Sequence, residues 1–242
     1  MNLDKQSAHN QNQIKYYSSH VKPRMRPKET AYIKRQIDEV LEVATINKND
    51  RVLEVGCGMG RITLHLAKRE INISGLELTP FLLEKLREQN NNEYDIPLYC
   101  ADITDFPKEL TAQFDQIVGF FVLHHFYDLS ACFTAMEKML KPGGRITFLE
   151  PNAYNPLYYI QVLITPGMTW KGDKGIIKMR RKIIKNALEA GNFKNFNLSR
   201  YGVFPPFISN TKWGRKLESF LEKIPFLKPF LPFQLFSATK GN

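Results

Sequence analysis

Residues 51–60 read Arg-Val-Leu-Glu-Val-Gly-Cys-Gly-Met-Gly, an apolar strand that runs straight into three glycines spaced two apart. Without a Cβ, such positions let main-chain N–H groups come close to a ligand. Arg61 to Arg69 follows with helical spacing that turns Ile62 and Leu66 inward. The first N–H groups of a helix have no intrahelical partner and favour anionic or carboxylate-bearing ligands. A strand, a glycine turn and a helix are therefore the unit on which the fold must be built. By itself the unit is compatible with many ligands.

The pattern around it repeats. Short apolar strands are predicted near 51–55, 72–77, 97–100, 115–121 and 145–150, with helices near 60–69, 80–90 and 129–140. An earlier helix runs from Pro27 to Val43, with Ile33, Ile37, Val40 and Leu41 on one face, and Ala44 following. Successive β–α units predict an α/β fold with a doubly wound, mostly parallel sheet covered on both faces. The run Ile117 to Leu123 is apolar throughout and suits the centre of that sheet, and Lys141-Pro142-Gly143-Gly144 reads as the turn that launches the fifth strand. Alternation then lapses. Residues 151–175 read as an inserted loop or short helix, Lys174 to Gly191 as a basic helix and 195–203 as a strand; an amphipathic helix at 211–223 and a last strand from Phe233 to Thr239 complete the chain. Residues 1–13 read as a disordered tail. Residues 14–242 read as a single domain with a ligand-binding core at 50–150 and substrate-side insertions at 151–175 and 205–231.

Composition narrows the class. No apolar run approaches membrane-spanning length, and the Asn- and Gln-rich start lacks the apolar stretch of a signal peptide. Three cysteines, Cys57, Cys100 and Cys132, stand apart without metal-ligand spacing, which points to a reducing, cytoplasmic location and to no metal site. Charge is uneven: residues 1–150 hold 19 Lys and Arg against 20 Asp and Glu, whereas residues 151–242 hold 15 against 4. The whole excess of +10 thus sits in the last two-fifths of the chain. Lys178, Arg180, Arg181, Lys182 and Lys185 are followed there by Trp213, Phe220, Leu221, Phe226, Phe230 and Phe233. Basic residues beside aromatics suit an amphiphilic or anionic small molecule, a peripheral membrane surface or single-stranded nucleic acid; a solvated cap that buries its aromatics is the alternative.

Two acids complete the ligand site. Glu77 lies 21 residues after Gly56, at the end of the second strand, where a carboxylate can accept from two ribose hydroxyls. Asp102 lies just past the third strand and can accept from the amine of an adenine. Three ligand-like elements at three successive strand ends converge where open α/β sheets bind ligands. A nicotinamide dehydrogenase would carry G-x-G-x-x-G, whereas here the glycines read G-x-G-x-G, two residues after Glu54.

Taken together, Glu54-Val55-Gly56-Cys57-Gly58-Met59-Gly60, Glu77, Ala101-Asp102-Ile103, Phe114 to Val118, Val122-Leu123-His124-His125 and Leu140 to Gly144 resemble the class I S-adenosylmethionine-dependent methyltransferases over about residues 50–150. The resemblance implies a seven-stranded Rossmann-like sheet whose last strand is antiparallel, an N-terminal helical lid and, here, a basic C-terminal cap. It implies S-adenosyl-L-methionine as cofactor, its methionine portion held by Gly56, Cys57, Gly58 and Gly60. Glu77 with Leu78 would take the ribose, Asp102 and Ile103 would flank the adenine, and Phe120 would complete the pocket. Glu54 would orient the glycine loop and reach the cofactor's amino group. Cys57 reads as a small filler, not a nucleophile. A sulfonium methyl needs chiefly an aligned acceptor, and a base only where the acceptor carries a proton. His124 and His125 follow the fourth strand, and His125 is the candidate base. Tyr16, Tyr17 and Tyr154 are the candidate substrate contacts. The activity expected is methyl transfer to an oxygen or nitrogen of a small molecule, anionic or lipid-like. An RNA methyltransferase and a non-catalytic cofactor-binding partner subunit are the alternatives.

Overall fold

In the computed structural model, residues 3–18, 25–164 and 174–241 are described. They form one seven-stranded sheet, flanked by helices. Helices α1 (Leu3–Ser18) and α2 (Ala31–Ala44) precede β1 (Val52–Val55). Then follow α3 (Thr63–Ala67), β2 (Ile73–Glu77), α4 (Pro80–Asn90), β3 (Leu98–Cys100) and β4 (Phe114–Phe120). Next come α5 (Leu129–Met139), β5 (Leu140–Pro151), α6 (Pro156–Ile164), α7 (Arg181–Ala190) and β6 (Phe193–Tyr201). Helices α8 (Pro206–Ser209) and α9 (Lys212–Leu221) lead to β7 (Phe233–Lys240). The strand order is β3-β2-β1-β4-β5-β7-β6. Strands β1 to β5 pair in parallel, and β7 runs antiparallel between β5 and β6.

Alternate strand residues feed two cores, as a sheet covered on both faces requires. Leu53, Ile117, Phe148 and Phe236 pack with α5 and α7 on one face, and Val52, Val118, Leu149 and Leu235 pack with α2 and α3 on the other. Phe148 stacks on Phe236 at 5.9 Å and packs directly over Gly119, leaving no room for a side chain there: a Cβ would lie 2.3 Å from the Phe148 ring.

Several boundaries differ from the sequence expectations, each for a local reason. Residues 3–13, expected as a disordered tail, belong to helix α1, whose polar side chains are held by the ligand site described below. Helix α2 starts at Ala31 because Thr30 caps it, its Oγ1 accepting from Ile33 N at 3.2 Å. The basic segment is not one helix: Lys174–Met179 is a 3₁₀ turn, and α7 begins after Arg180, whose backbone is extended. Lys141 to Gly144 lies within β5 as a bulge between Leu140, paired with Phe114, and Arg145, paired with Gln116. Residues 165–173 of the expected 151–175 insertion lie outside the described residues.

Arg35 on α2 anchors the C-terminal segment to the first core helix. Its guanidinium lies 2.9 Å from Glu218, 2.8 Å from Glu222 and 3.2 Å from Glu39, over the Tyr201 ring at 5.1 Å. Glu218 is buried and also accepts from Val203 N and Phe204 N at 2.7 and 3.0 Å. Arg35→Ala would leave that carboxylate buried without its counter-charge. We expect a loss of about 3 kcal/mol, seen as a Tm lower by roughly 2–4 °C per kcal/mol. An unchanged melting curve would show that these ion pairs contribute nothing net.

Candidate active site

The ends of β1, β2, β3 and β4 open onto one cavity of about 2090 Å³. Its floor is the glycine loop. Gly56, Gly58 and Gly60 all have positive φ, at 71°, 54° and 86°. The reasons differ. A Cβ on Gly56 would lie 2.3 Å from the Val122 side chain, so this glycine lets the loop press against the turn after β4, whereas a Cβ on Gly58 would meet nothing within 4 Å. Gly58 therefore leaves an open cradle where a ligand can approach the backbone.

Buried carboxylates tie this loop in place. Glu77, at the end of β2, accepts from Gly58 N at 3.0 Å and from Thr79 N at 2.9 Å. Burial pushes its pKa up, against the pull of those backbone donors. Glu77, rather than Glu54, thus orients the glycine loop. Glu54 accepts from Thr63 Oγ1 at 2.7 Å, linking β1 to α3. Its fully buried carboxyl is pushed up to about 8, first by desolvation and then by the neighbouring Glu77, while the Thr63 hydrogen bond pulls it down. Cys57 is buried, with its thiol pushed well up by burial, and it fills the space left by Gly75 on β2.

A third carboxylate organises the far side. Glu150, at the end of β5, accepts from Val122 N at 2.8 Å and Leu123 N at 2.7 Å, and its other oxygen lies 2.7 Å from His124 Nδ1. These bonds clamp the 3₁₀ turn Leu123–His125. The chain enters that turn through Phe121 at φ 56°, a left-handed conformation that a bulky residue adopts only when its surroundings impose it. Gly175 packs so closely on the turn that a Cβ would overlap the His124 carbonyl. Lys178 Nζ donates to the carbonyls of Phe126 and Tyr127 at 2.6 and 2.9 Å, so this expected surface cation is turned onto the site's own backbone.

Helix α1 forms the remaining wall. Asp102 Oδ1 accepts from Thr104 N at 2.8 Å, and Asp102 Oδ2 accepts from Gln6 Nε2 at 3.2 Å and from Asn10 Nδ2. His9 Nε2 lies 2.7 Å from the His125 carbonyl, and the Tyr17 hydroxyl lies 3.3 Å from His125 Nε2. One polar helix therefore touches both the acid expected to take adenine and the histidine expected to act as base.

The cavity brings together Glu54, Gly56, Cys57, Gly58, Glu77, Leu78, Asp102, Ile103, Phe120, Tyr16, Tyr17 and His125. Two expected residues are absent from its wall. Gly60 packs beneath the loop, where its Cβ would lie 2.9 Å from Leu86. Tyr154 is carried to the outer surface beside Arg200, at 5.7 Å, because Asn152 and Asn155 turn inward and donate to the carbonyls of Pro229, Phe230 and Leu231. Leu157, Tyr158 and Ile160 of α6 line the cavity in its place. Gln6 and Asn10 escaped the sequence reading, although Gln6, His9, Asn10, Gln13 and Tyr17 repeat at helical spacing and would have shown a polar face.

A glycine cradle at β1, a carboxylate at β2, an acid at β3 and an antiparallel β7 inside the sheet edge define the class: an S-adenosylmethionine-dependent methyltransferase of class I. The family model described as a methyltransferase domain matches residues 46–197, and the chain belongs to that family, whose cofactor is S-adenosylmethionine. Among curated relatives, the ubiquinone biosynthesis O-methyltransferase of Dechloromonas aromatica is 28% identical over 130 residues, 53% of this chain and 53% of that protein. The protein of the same name from Pseudomonas syringae is 30% identical over 118 residues, 47% of this chain and 49% of its own. The chain spans about half the length of the curated relatives it matches. Two solved structures share the fold at low identity. A Haemonchus contortus phosphoethanolamine N-methyltransferase 2 has TM-score 0.64 and 17% identity, over 86% of this chain and 53% of that one. A geranyl diphosphate C-methyltransferase from Streptomyces coelicolor has TM-score 0.61 and 13% identity, over 96% and 98%.

Asp102→Ala would remove the acceptor shared by Gln6 and Asn10. Two lost hydrogen bonds to a charged group at about 1.5 kcal/mol or more each should speed amide exchange in α1 at least about ten-fold, with the sheet amides unaffected. Unaltered exchange would show that α1 is held by other contacts.

Proposed function

We propose that this protein transfers a methyl group from S-adenosylmethionine to an oxygen of a small, partly apolar molecule. The observation that carries the proposal is the convergence of the Gly58 cradle, Glu77, Asp102 and the His124–His125 turn on one cavity. S-adenosylmethionine, when bound, supplies an electrophilic sulfonium methyl. The residues around it have separable tasks. Gly56, Cys57 and Gly58 would receive the methionine portion, and Glu54 its ammonium. Glu77 keeps lone pairs beyond those used by Gly58 N and Thr79 N, and these would accept from the ribose hydroxyls. Asp102 would accept from the adenine amine, sharing its Oδ2 with α1, while Leu78, Ile103 and Phe120 enclose the ring.

On the acceptor side, His125 would take the proton from the acceptor hydroxyl as the new carbon–oxygen bond forms. Tyr17, beside its Nε2, would place that hydroxyl. Glu150 positions the histidine by holding the turn rather than by touching the acceptor. The apolar wall contributed by Leu157, Ile160, Ile177 and Phe207 supports an acceptor with a hydrophobic portion, and the names of the O-methyltransferase relatives support oxygen over nitrogen. The same apolar wall argues against an RNA acceptor, which would call for a basic one.

Radiolabelled cofactor offered with a panel of hydroxylated amphiphiles tests the reading. No transfer to any of them, with cofactor bound normally, would favour a non-catalytic subunit. With an acceptor in hand, His125→Ala should slow transfer by about 10² without weakening cofactor binding, and raising the pH should restore part of the rate because the acceptor then ionises unaided. A full rate in the variant would remove His125 as base.

Glu54 predicts a pH dependence. Below about 8 its carboxyl is largely protonated in the free chain, and only the ionised form attracts an ammonium. Cofactor affinity should therefore strengthen as pH rises from about 6 towards 8, by up to about ten-fold per unit. In Glu54→Gln the curve should be weaker and flat. A flat wild-type curve by calorimetry would place the ammonium elsewhere.

A further inference from the structure

Helix α9 has its faces reversed. Its inner face carries Gly214, where a Cβ would lie 2.2 Å from the Ile208 carbonyl, and Glu218, only 2% exposed and bound to Arg35. Glu222, just past its end, also meets Arg35 and accepts from Gly202 N at 2.6 Å. The outer face carries Trp213, Leu217 and Phe220, at spacing i, i+4 and i+7, and these are 61%, 40% and 64% exposed. Phe226 and Phe230, in the segment that follows, are 72% and 53% exposed. A surface helix ordinarily turns its apolar stripe to the core. Here ion pairs to Arg35, with Glu218 buried, hold the polar stripe inside, and the aromatic stripe is left facing out.

The charges on this surface have one sign. Between residues 206 and 231 the acids are Glu218 and Glu222, both turned onto Arg35. Lys212, Lys216, Lys223 and Lys228 are exposed, and no ion pair engages them among the described residues. On α9, Lys212 and Lys216 flank the aromatic stripe. The apolar surface reaches the cavity through α8, where Phe207 is 75% exposed and lines the cavity wall.

We propose that the outer face of α9, with Phe226 and Phe230, docks on an anionic lipid bilayer. Exposed aromatics entering the boundary between headgroups and acyl chains, flanked by lysines at the level of the phosphates, are the composition that such a surface holds. A second copy fits less well, because a two-fold contact through this face would set four lysines against four lysines. Protein interfaces in general exclude lysine from their cores. Docking needs no turnover. What rests on the proposed reaction is only its consequence, that an amphiphilic acceptor could reach the cavity from the lipid side.

Sedimentation of the full chain with vesicles tests this directly. It should pellet with phosphatidylcholine mixed equally with phosphatidylglycerol, stay in solution with phosphatidylcholine alone, and be released by high salt. Replacing Lys212, Lys216, Lys223 and Lys228 by Gln should lower partition at least about 100-fold, since each lysine near the surface contributes roughly five-fold. A second variant, Trp213→Gln with Phe220→Gln and Phe226→Gln, should also lose binding. Both should keep wild-type cofactor affinity by calorimetry, which reports on the methyl-donor site alone. The proposal is overturned if the wild type ignores the anionic vesicles, or if both variants bind them as the wild type does. It is also overturned if the wild type is a dimer without vesicle affinity that the aromatic variant turns into a monomer.

Discussion

Loops that leave the carboxyl ends of parallel strands expose backbone N–H groups that no neighbouring strand can satisfy. The site of this protein is built on how those donors are met. Glu77 receives Gly58 N and Thr79 N, and Glu150 receives Val122 N and Leu123 N as well as His124. Each carboxylate is buried, so each must collect several donors to offset its desolvation. The collected donors belong to loops that line the cavity: the glycine cradle in one case, the histidine turn in the other. Loop conformation is thus tied to the rigid sheet by charge-assisted hydrogen bonds, which are stronger than those between neutral groups. Glu54 differs in having Thr63 as its named donor, and its high pKa follows from that poverty.

The convergence of the glycine loop with the acids of the next two strand ends is legible because its information is local. A strand running into Gly56, Gly58 and Gly60, and acids at the ends of the next two strands, are spacings along the chain, and β–α alternation says which ends converge. The helix-end errors are small for the same reason. What was not legible depends on side-chain direction or on distant partners. Tyr154 leaves β5 at the correct edge of the sheet, yet Asn152 and Asn155 take the inward positions and send it outward. The Glu150–His124 pair joins residues 26 apart, and neither one alone announces the other. Apolar periodicity is absent from residues 3–13, so they read as a tail, whereas helix α1 packs a polar stripe on a polar site.

Helix α1 joins halves that the sheet keeps apart. Gln6 and Asn10 hold Asp102, and His9 and Tyr17 meet His125, so a single element touches both the loop after β3 and the turn after β4. The Asp102 oxygen expected to face adenine already has two amide donors. These donors hold Asp102 from the α1 side, while Thr104 N holds its other oxygen. Tyr17 belongs to the same helix. One helix of about four turns thus braces both the loop after β3 and the turn after β4.

The C-terminal segment follows a different logic from the rest of the chain. In the helices that cover the sheet, apolar residues define the inside, and the two cores on either face hold them by burial. In α9 the inside is defined by Arg35, because two carboxylates on one helix face can satisfy a guanidinium that α2 presents. Once Glu218 and Glu222 are committed, helical geometry leaves Trp213, Leu217 and Phe220 no direction but outward. A buried triad of this kind is weak evidence for stability, since well-packed apolar residues usually do as well. Its effect here is orientation: it fixes which face of α9 meets the surroundings. The cations behind the excess positive charge of residues 151–242 therefore have different fates. Lys178 is spent on the backbone of the histidine turn, and Lys212, Lys216, Lys223 and Lys228 remain outside beside the aromatics. The distinction between a solvated basic cap and a binding surface lies in that division, which only the fold reveals.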